Sequence, residues 1–215
     1  MTRPLIVALH GVGSNARDMA ATLAPLSAHA EVLALDGPEP FDGGGWGGGQ
    51  DPRARQWFSV AGVTEADRPG RIAQALPPLI ARLDAIAAER GLSRDDLIPL
   101  GFSQGAMMTL AMIAGGLHRG RAIAVSGRLA APVLATPGPA RLLLLHDRND
   151  PMMPLALSVE AKTALTAAGH RIDSFWTAGL GHQIGQPTLF AIDRWLAADA
   201  PPSSALADPL EGHVQ

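Results

Sequence analysis

Residues 97–115 read LIPLGFSQGAMMTLAMIAG. A short apolar run enters a turn of Gly101-Phe102-Ser103-Gln104-Gly105, and a helix-forming run leaves it. The run Leu97–Leu100 is apolar without alternation, as a strand buried on both faces should be. Gln104–Gly115 has the composition of a buried helix. A strand turning sharply into a helix through G-x-S-x-G is the arrangement of a nucleophile elbow. The residue types have physical reasons. The sharp turn forces Ser103 into a strained backbone conformation that lifts its hydroxyl clear of the sheet. Gly101 and Gly105 leave room where strand and helix crowd together. The turn also sets Ser103 at a helix N-terminus, whose free N–H groups favour a developing negative charge. The bland alternative is an ordinary glycine-rich turn with a helix-capping serine.

Outward from this turn, apolar runs alternate with helical patterns. Pro4–Leu9, Glu31–Leu35, Arg121–Val125, Arg141–Leu145 and Arg171–Trp176 read as further strands. Asn15–Ala30 has Met19, Leu23 and Leu26 at helical spacing behind Asn15, a good N-cap. Arg71–Arg90 is helical in pattern, but Pro77-Pro78 should break or kink it, leaving Leu79–Arg90 as the regular part. Leu155–Ala168, closed by Gly169, and Thr188–Ala197 complete the helices. Strand and helix in alternation predict an α/β fold with a mostly parallel sheet and helices on both faces. The expected organisation is one domain over residues 1–200 followed by a loose tail, 201–215. Residues 126–140 are too few for a helical lid, so no lid domain and an open site are expected. The stretch FDGGGWGGGQD at 41–51 cannot pack as helix or strand and reads as a loop at the site rim.

Chain order then supplies partners for Ser103. In α/β-hydrolases the nucleophile is followed by an acid after a later strand and by a histidine after the last one. RLLLLH leads into Asp147-Arg148-Asn149-Asp150-Pro151, and RIDSFW into Thr177-Ala178-Gly179-Leu180-Gly181-His182. Both stretches fall at carboxyl ends of strands, where open α/β sheets place their sites. Ser103, Asp150 and His182 are therefore the candidate catalytic triad. Asp150 is preferred over Asp147 because the Asn149-Asp150-Pro151 turn can carry a carboxylate back across the sheet end. The competing role for Asp150 is to stabilise its own turn. Near the start, Leu9-His10-Gly11-Val12-Gly13-Ser14-Asn15 joins a strand to a helix. In the hydrolase plan this loop and the residue after the nucleophile supply the oxyanion hole, here the N–H groups of Val12 and Gln104. A phosphate loop does not fit, since neither G-x-G-x-x-G nor a P-loop lysine is present. His10 and His146 read as structural, His29 and His170 as residues near helix C-termini, and His118 and His213 as surface residues. Trp46, Trp57, Met107, Met152 and Met153 are candidates for an apolar substrate wall, although methionines also fill gaps in cores.

At this point the sequence resembles the phospholipase/carboxylesterase family, which includes the acyl-protein thioesterases. The resemblance rests on LHGVGSN at 9–15, RQWF at 55–58, GFSQGA at 101–106, VSG at 125–127, HDRNDPMMP at 146–154 and GLGH at 179–182, and extends over about residues 4–198. It implies a Ser-Asp-His hydrolase of carboxylic esters or thioesters that needs no cofactor. A peptidase or acyltransferase with the same triad, and a non-catalytic ligand-binding protein, remain alternatives. Three features depart from the family pattern: Asp147 follows His146 where glycine is usual, Arg128 follows VSG, and the 42–50 loop is rich in glycine. They bear on substrate identity.

Composition sets the outer bounds. A net charge of −3 without a basic patch argues against a nucleic-acid partner. The absence of cysteine excludes disulfides, a thiolate nucleophile and a Cys-bound metal, and no metal site is expected. No apolar stretch reaches the ~18 residues of a membrane span. The five-residue apolar run at the start is shorter than the roughly 7–15 residues of a signal-peptide core. The expectation is a cytoplasmic protein acting on a small-molecule ester or thioester, with a homodimer left open.

Overall fold

The computed structural model describes residues 3–43, 51–134 and 138–198. Six parallel strands form the sheet: β1 (Leu5–Leu9), β2 (Glu31–Leu35), β5 (Ile98–Phe102), β6 (Arg121–Val125), β7 (Arg141–Asp147) and β8 (Arg171–Thr177), in the order β2-β1-β5-β6-β7-β8. Two short strands, β3 (Glu39–Pro40) and β4 (Arg55–Gln56), make a separate antiparallel ribbon. The helices are α1 (Ala16–Leu23), α2 (Arg68–Glu89), α3 (Gln104–Ala114), α4 (Leu155–Ala167) and α5 (Gln186–Ala197).

Alternate side chains of each strand serve opposite layers, which is why the central strands are continuously apolar. Ile6, Ala8, Leu100, Ile123, Leu143 and Leu145 pack with Leu23 of α1 and Trp195 of α5. On the other face, Val7 and Leu9 meet α2 and α3 through Leu83, Met108 and Met112, and Leu142 and Leu144 meet Leu110 and Leu165. Every residue of α3 is buried, so the helix behind Ser103 is embedded along its whole length.

The expected α/β architecture with helices on both faces is the one observed, with local differences, among them that the helix expected over 15–30 is α-helical only to Leu23 and continues as a 3-10 turn over Ala24–Ala28. Helix α2 starts at Arg68 and runs through Pro77-Pro78 unbroken. Both prolines lie on its exposed side, as do Ala73 and Gln74, whose carbonyls lose their N–H donors; water can solvate them there. Strand β7 extends through His146 and Asp147, which pair with Trp176 and Thr177 of β8. The ribbon was not expected, because its two-residue strands carry no periodic signal. Among the described residues of 126–140 there is no helix. Trp46, the glycines at 44–49, His213 and the 201–215 segment lie outside the described residues.

Candidate active site

The elbow is built by steric exclusion. Ser103 has φ 52° and ψ −111°, a conformation that L-residues occupy only when their surroundings impose it. A Cβ on Gly101 would stand 2.2 Å from the Gly105 carbonyl oxygen, and a Cβ on Gly105 would stand 2.2 Å from that of Leu9. Neither position admits a side chain. The Ser103 N–H donates to the Val125 oxygen at 3.0 Å, tying the turn to β6.

Two loops from neighbouring strand ends complete the site. His182 follows β8 in a turn where Gly179 and Gly181 take positive φ. Its Nε2 lies 2.9 Å from the Ser103 Oγ, and its Nδ1 lies 2.7 Å from the Asp150 Oδ2. The geometry fits Nδ1–H donating to the carboxylate while Nε2 accepts from the hydroxyl. Asp150 divides its oxygens: Oδ2 faces His182, and Oδ1 accepts from the N–H groups of Met152 and Met153 at 2.9 and 2.8 Å. Stabilising its own turn and reaching the histidine are therefore compatible. Burial works to raise the Asp150 pKa, but the hydrogen bonds from His182, Met153 and Met152 outweigh it, and the carboxyl sits below its ordinary value.

Asp147 does something else. Its Oδ2 accepts from the Thr177 hydroxyl at 2.8 Å and the Leu180 N–H at 2.9 Å, and its Oδ1 from the Asn149 N–H at 2.9 Å. It thus joins the turn that carries Asp150 to the loop that carries His182. Burial pushes its pKa up, and these bonds push it further down, so it too remains a carboxylate below the usual range. Asn149 adds a second tie, its Oδ1 accepting from the Gly179 N–H at 3.2 Å.

The loop after β1 reaches the same place. A Cβ on Gly11 would be 3.1 Å from the Phe102 ring and 3.3 Å from Ser103 Cβ. Val12 and Gln104 both line the cleft beside Ser103, and Gln104 opens α3, where backbone N–H groups have no helical partner. Strand β4 braces the loop: Gly13 N–H donates to the Arg55 oxygen at 2.9 Å, and Arg55 N–H to the Ser14 oxygen at 2.8 Å. His10 beneath it is buried, its Nδ1 2.7 Å from the Gly11 oxygen, while its Nε2 accepts from the Gly37 N–H. Both ring nitrogens are engaged as a neutral imidazole requires, and burial holds its pKa below the ordinary value.

Ser103, Gln104, Val12, His182, Met107, Met152 and Met153 share one cleft of about 1400 Å³. Asp150 lies behind His182 rather than on the cleft wall. Trp57, expected on the wall, is instead buried in the core, with its Nε1 donating to the His10 oxygen at 2.9 Å. An indole needs a partner for its N–H when buried, and His10 supplies it. His118 is likewise fully buried and not a surface residue, its Nε2 against the Arg121 oxygen at 3.0 Å. Sequence reasoning missed the second job of Gln104. Its Oε1 accepts from the Trp57 N–H and its Nε2 donates to the Phe58 oxygen, at 2.8 and 2.7 Å. A polar residue at the start of a largely apolar helix was the available signal.

A family model described as Phospholipase/Carboxylesterase matches residues 1–199. The chain belongs to the phospholipase/carboxylesterase family. Esterase YpfH of Escherichia coli (strain K12) is 34% identical over 196 residues, covering 88% of this chain and 81% of the relative. The crystal structure of esterase PE8 superposes with a TM-score of 0.77 at 30% identity, covering 91% of this chain and 92% of that one. A carboxylesterase from Mesorhizobium loti gives a TM-score of 0.74 at 22% identity, covering 92% and 90%, a likeness of fold alone. Within this phospholipase/carboxylesterase framework, the contacts of Asp147 tie together the two loops that carry Asp150 and His182.

Proposed function

We propose that this protein is a serine hydrolase that cleaves carboxylic esters or thioesters through an acyl-enzyme. The observation that carries the reading is the continuous relay Ser103 Oγ, His182 Nε2, His182 Nδ1, Asp150 Oδ2, with links of 2.9 and 2.7 Å. These are hydrogen-bond distances in the order that nucleophilic activation needs.

In the proposed sequence His182 Nε2 takes the Ser103 proton as Oγ bonds to the acyl carbon. The carbonyl oxygen becomes an anion facing the N–H groups of Val12 and Gln104. The tetrahedral centre collapses, its bond to the alcohol or thiol breaks, and His182 returns the proton to that leaving group. Water, deprotonated by His182, then attacks the acyl carbon and releases the acid and Ser103. Asp150 holds the tautomer and balances the imidazolium charge. The names of the two relatives at 34% and 30% identity, both esterases, support the same reaction class.

A fluorophosphonate probe tests the reading. Covalent labelling at Ser103, lost in Ser103→Ala, is the expected result, with turnover of both 4-nitrophenyl esters and acyl thioesters. A native protein that is inert to the probe and to every ester overturns it.

A further inference from the structure

Three charged side chains, Arg128, Arg68 and Glu65, meet on the cleft wall. Arg128 follows the Ser126-Gly127 turn at the end of β6. Ser126 is a buried non-glycine residue at φ 50°, and a Cβ on Gly127 would stand 2.4 Å from that of Ala106 in α3. This strained, closely packed turn carries Arg128 only three residues past Val125, whose oxygen holds the Ser103 N–H. Arg128 Nη1 donates to Glu65 Oε1 at 2.9 Å and its Nη2 to Oε2, a bidentate fork. Arg68, the first residue of α2, donates to the same Oε1 at 2.9 Å. The guanidinium side chains are only 20% and 14% exposed, whereas that of Glu65 is 67% exposed.

One solvent-facing carboxylate thus faces two largely buried arginine side chains. Arg68, Arg128 and Glu65 all line the cleft with Ser103. The other carboxylates on its wall, Asp18, Asp42 and Asp51, belong to α1 and the segment between β3 and β4, and are bonded to Asn15, to Ser59 and Gln56, and to Arg53.

We infer that Arg128 and Arg68 select esters carrying a second, anionic carboxylate, and that Glu65 occupies that position until substrate arrives. The inference rests on the serine-hydrolase reading and names its substrate class. The planar fork already holds one carboxylate bidentately, the match at which arginine excels over a point charge. A purely structural ion pair makes a different prediction. Breaking it from either side would then have the same effect.

The test uses the full chain and matched substrates: 4-nitrophenyl monoesters of adipic and suberic acid against 4-nitrophenyl hexanoate and octanoate, and 4-acyloxybenzoates against phenyl esters of the same acyl chains. The readout is the ratio of kcat/KM for the carboxylate ester over its neutral partner. The wild type should favour the charged ester in one of the two series by about tenfold, and the favoured series tells whether the acyl or the leaving portion bears the charge. Arg128→Gln should remove that preference, while Glu65→Gln should increase it by lowering KM for the charged ester. No preference in either series, or equal shifts of the ratio in Arg128→Gln and Glu65→Gln, overturns the inference. Fluorophosphonate labelling and neutral-ester turnover that persist alongside such a result leave the hydrolase reading standing.

Discussion

The elbow and the pair of loops facing it are held by different physics. Around Ser103 the constraint is excluded volume: buried backbone, two glycines with no space for a Cβ, and a helix buried along its length. Around Asp150 and His182 the constraint is hydrogen bonding to carboxylates, with Asp147 and Asp150 together gathering N–H and O–H donors from Asn149, Met152, Met153, Thr177, Leu180 and His182. The first construction is indifferent to pH and intolerant of added atoms. The second accepts changes of shape but depends on charge.

The largest effect should come from the atom the elbow presents. Ser103→Ala should lower kcat by about 10⁴–10⁶ with the fold intact, and relief of backbone strain should leave the melting temperature unchanged or higher. Activity within about tenfold of wild type would remove Ser103 as nucleophile. Across the cleft, Asp150→Asn should lower kcat by up to about 10⁴ by disturbing the His182 tautomer. Asp147→Asn should cost about tenfold or less, since it loosens the loops without touching His182. Reversed effects would make Asp147 the acid.

The next contrast is in stability. Gly105→Ala should destabilise by at least about 3 kcal/mol, because its Cβ collides with backbone that cannot move. A denaturation midpoint equivalent to less than about 1 kcal/mol of loss would mean that the elbow is softer than its contacts imply.

The smallest effect is the pH dependence that separates the two constructions. Burial holds His10, His118 and His146 below the ordinary imidazole value. The unfolded chain therefore binds more protons than the folded one just below about pH 6.5, and stability rises with pH there. This contribution is fully present above that value and is lost as pH falls through the depressed folded values. Asp147 and Asp150, also depressed, add stability present above about pH 4 that is lost on further acidification through their folded values. Urea midpoints should fall from pH 7 to 5 and more steeply below 4. The deficit of Gly105→Ala should stay constant across this range, and that of Asp147→Asn should shrink as the wild-type carboxylate protonates. A constant deficit for Asp147→Asn would show that its charge contributes nothing.

Much of this was legible in the residues because it follows from local rules. Continuous apolar runs announced the sheet, alternation with helical periods announced its parallel order, and the glycines around Ser103 declared a crowded turn. Helix α2 crosses Pro77-Pro78 because its orphaned carbonyls lie on an exposed face, a fact of packing that the dipeptide does not carry. Trp57 and His118 look like candidates for a surface until the core closes over them.

The sequence by itself determined the order of elements, the site of the elbow, and which strand ends bear an acid and a histidine, since those depend on neighbours in the chain. Only the tertiary structure decided that Asp150 rather than Asp147 lies within 2.7 Å of His182, that Gln104 clasps the backbone of Trp57 and Phe58, and that Glu65 meets Arg128. Those pairs are separated by 32 to 63 residues. Their meeting depends on which strand ends adjoin in the sheet and on how far each side chain is buried. Both are set by the packing of the whole chain, which no local run of residues encodes.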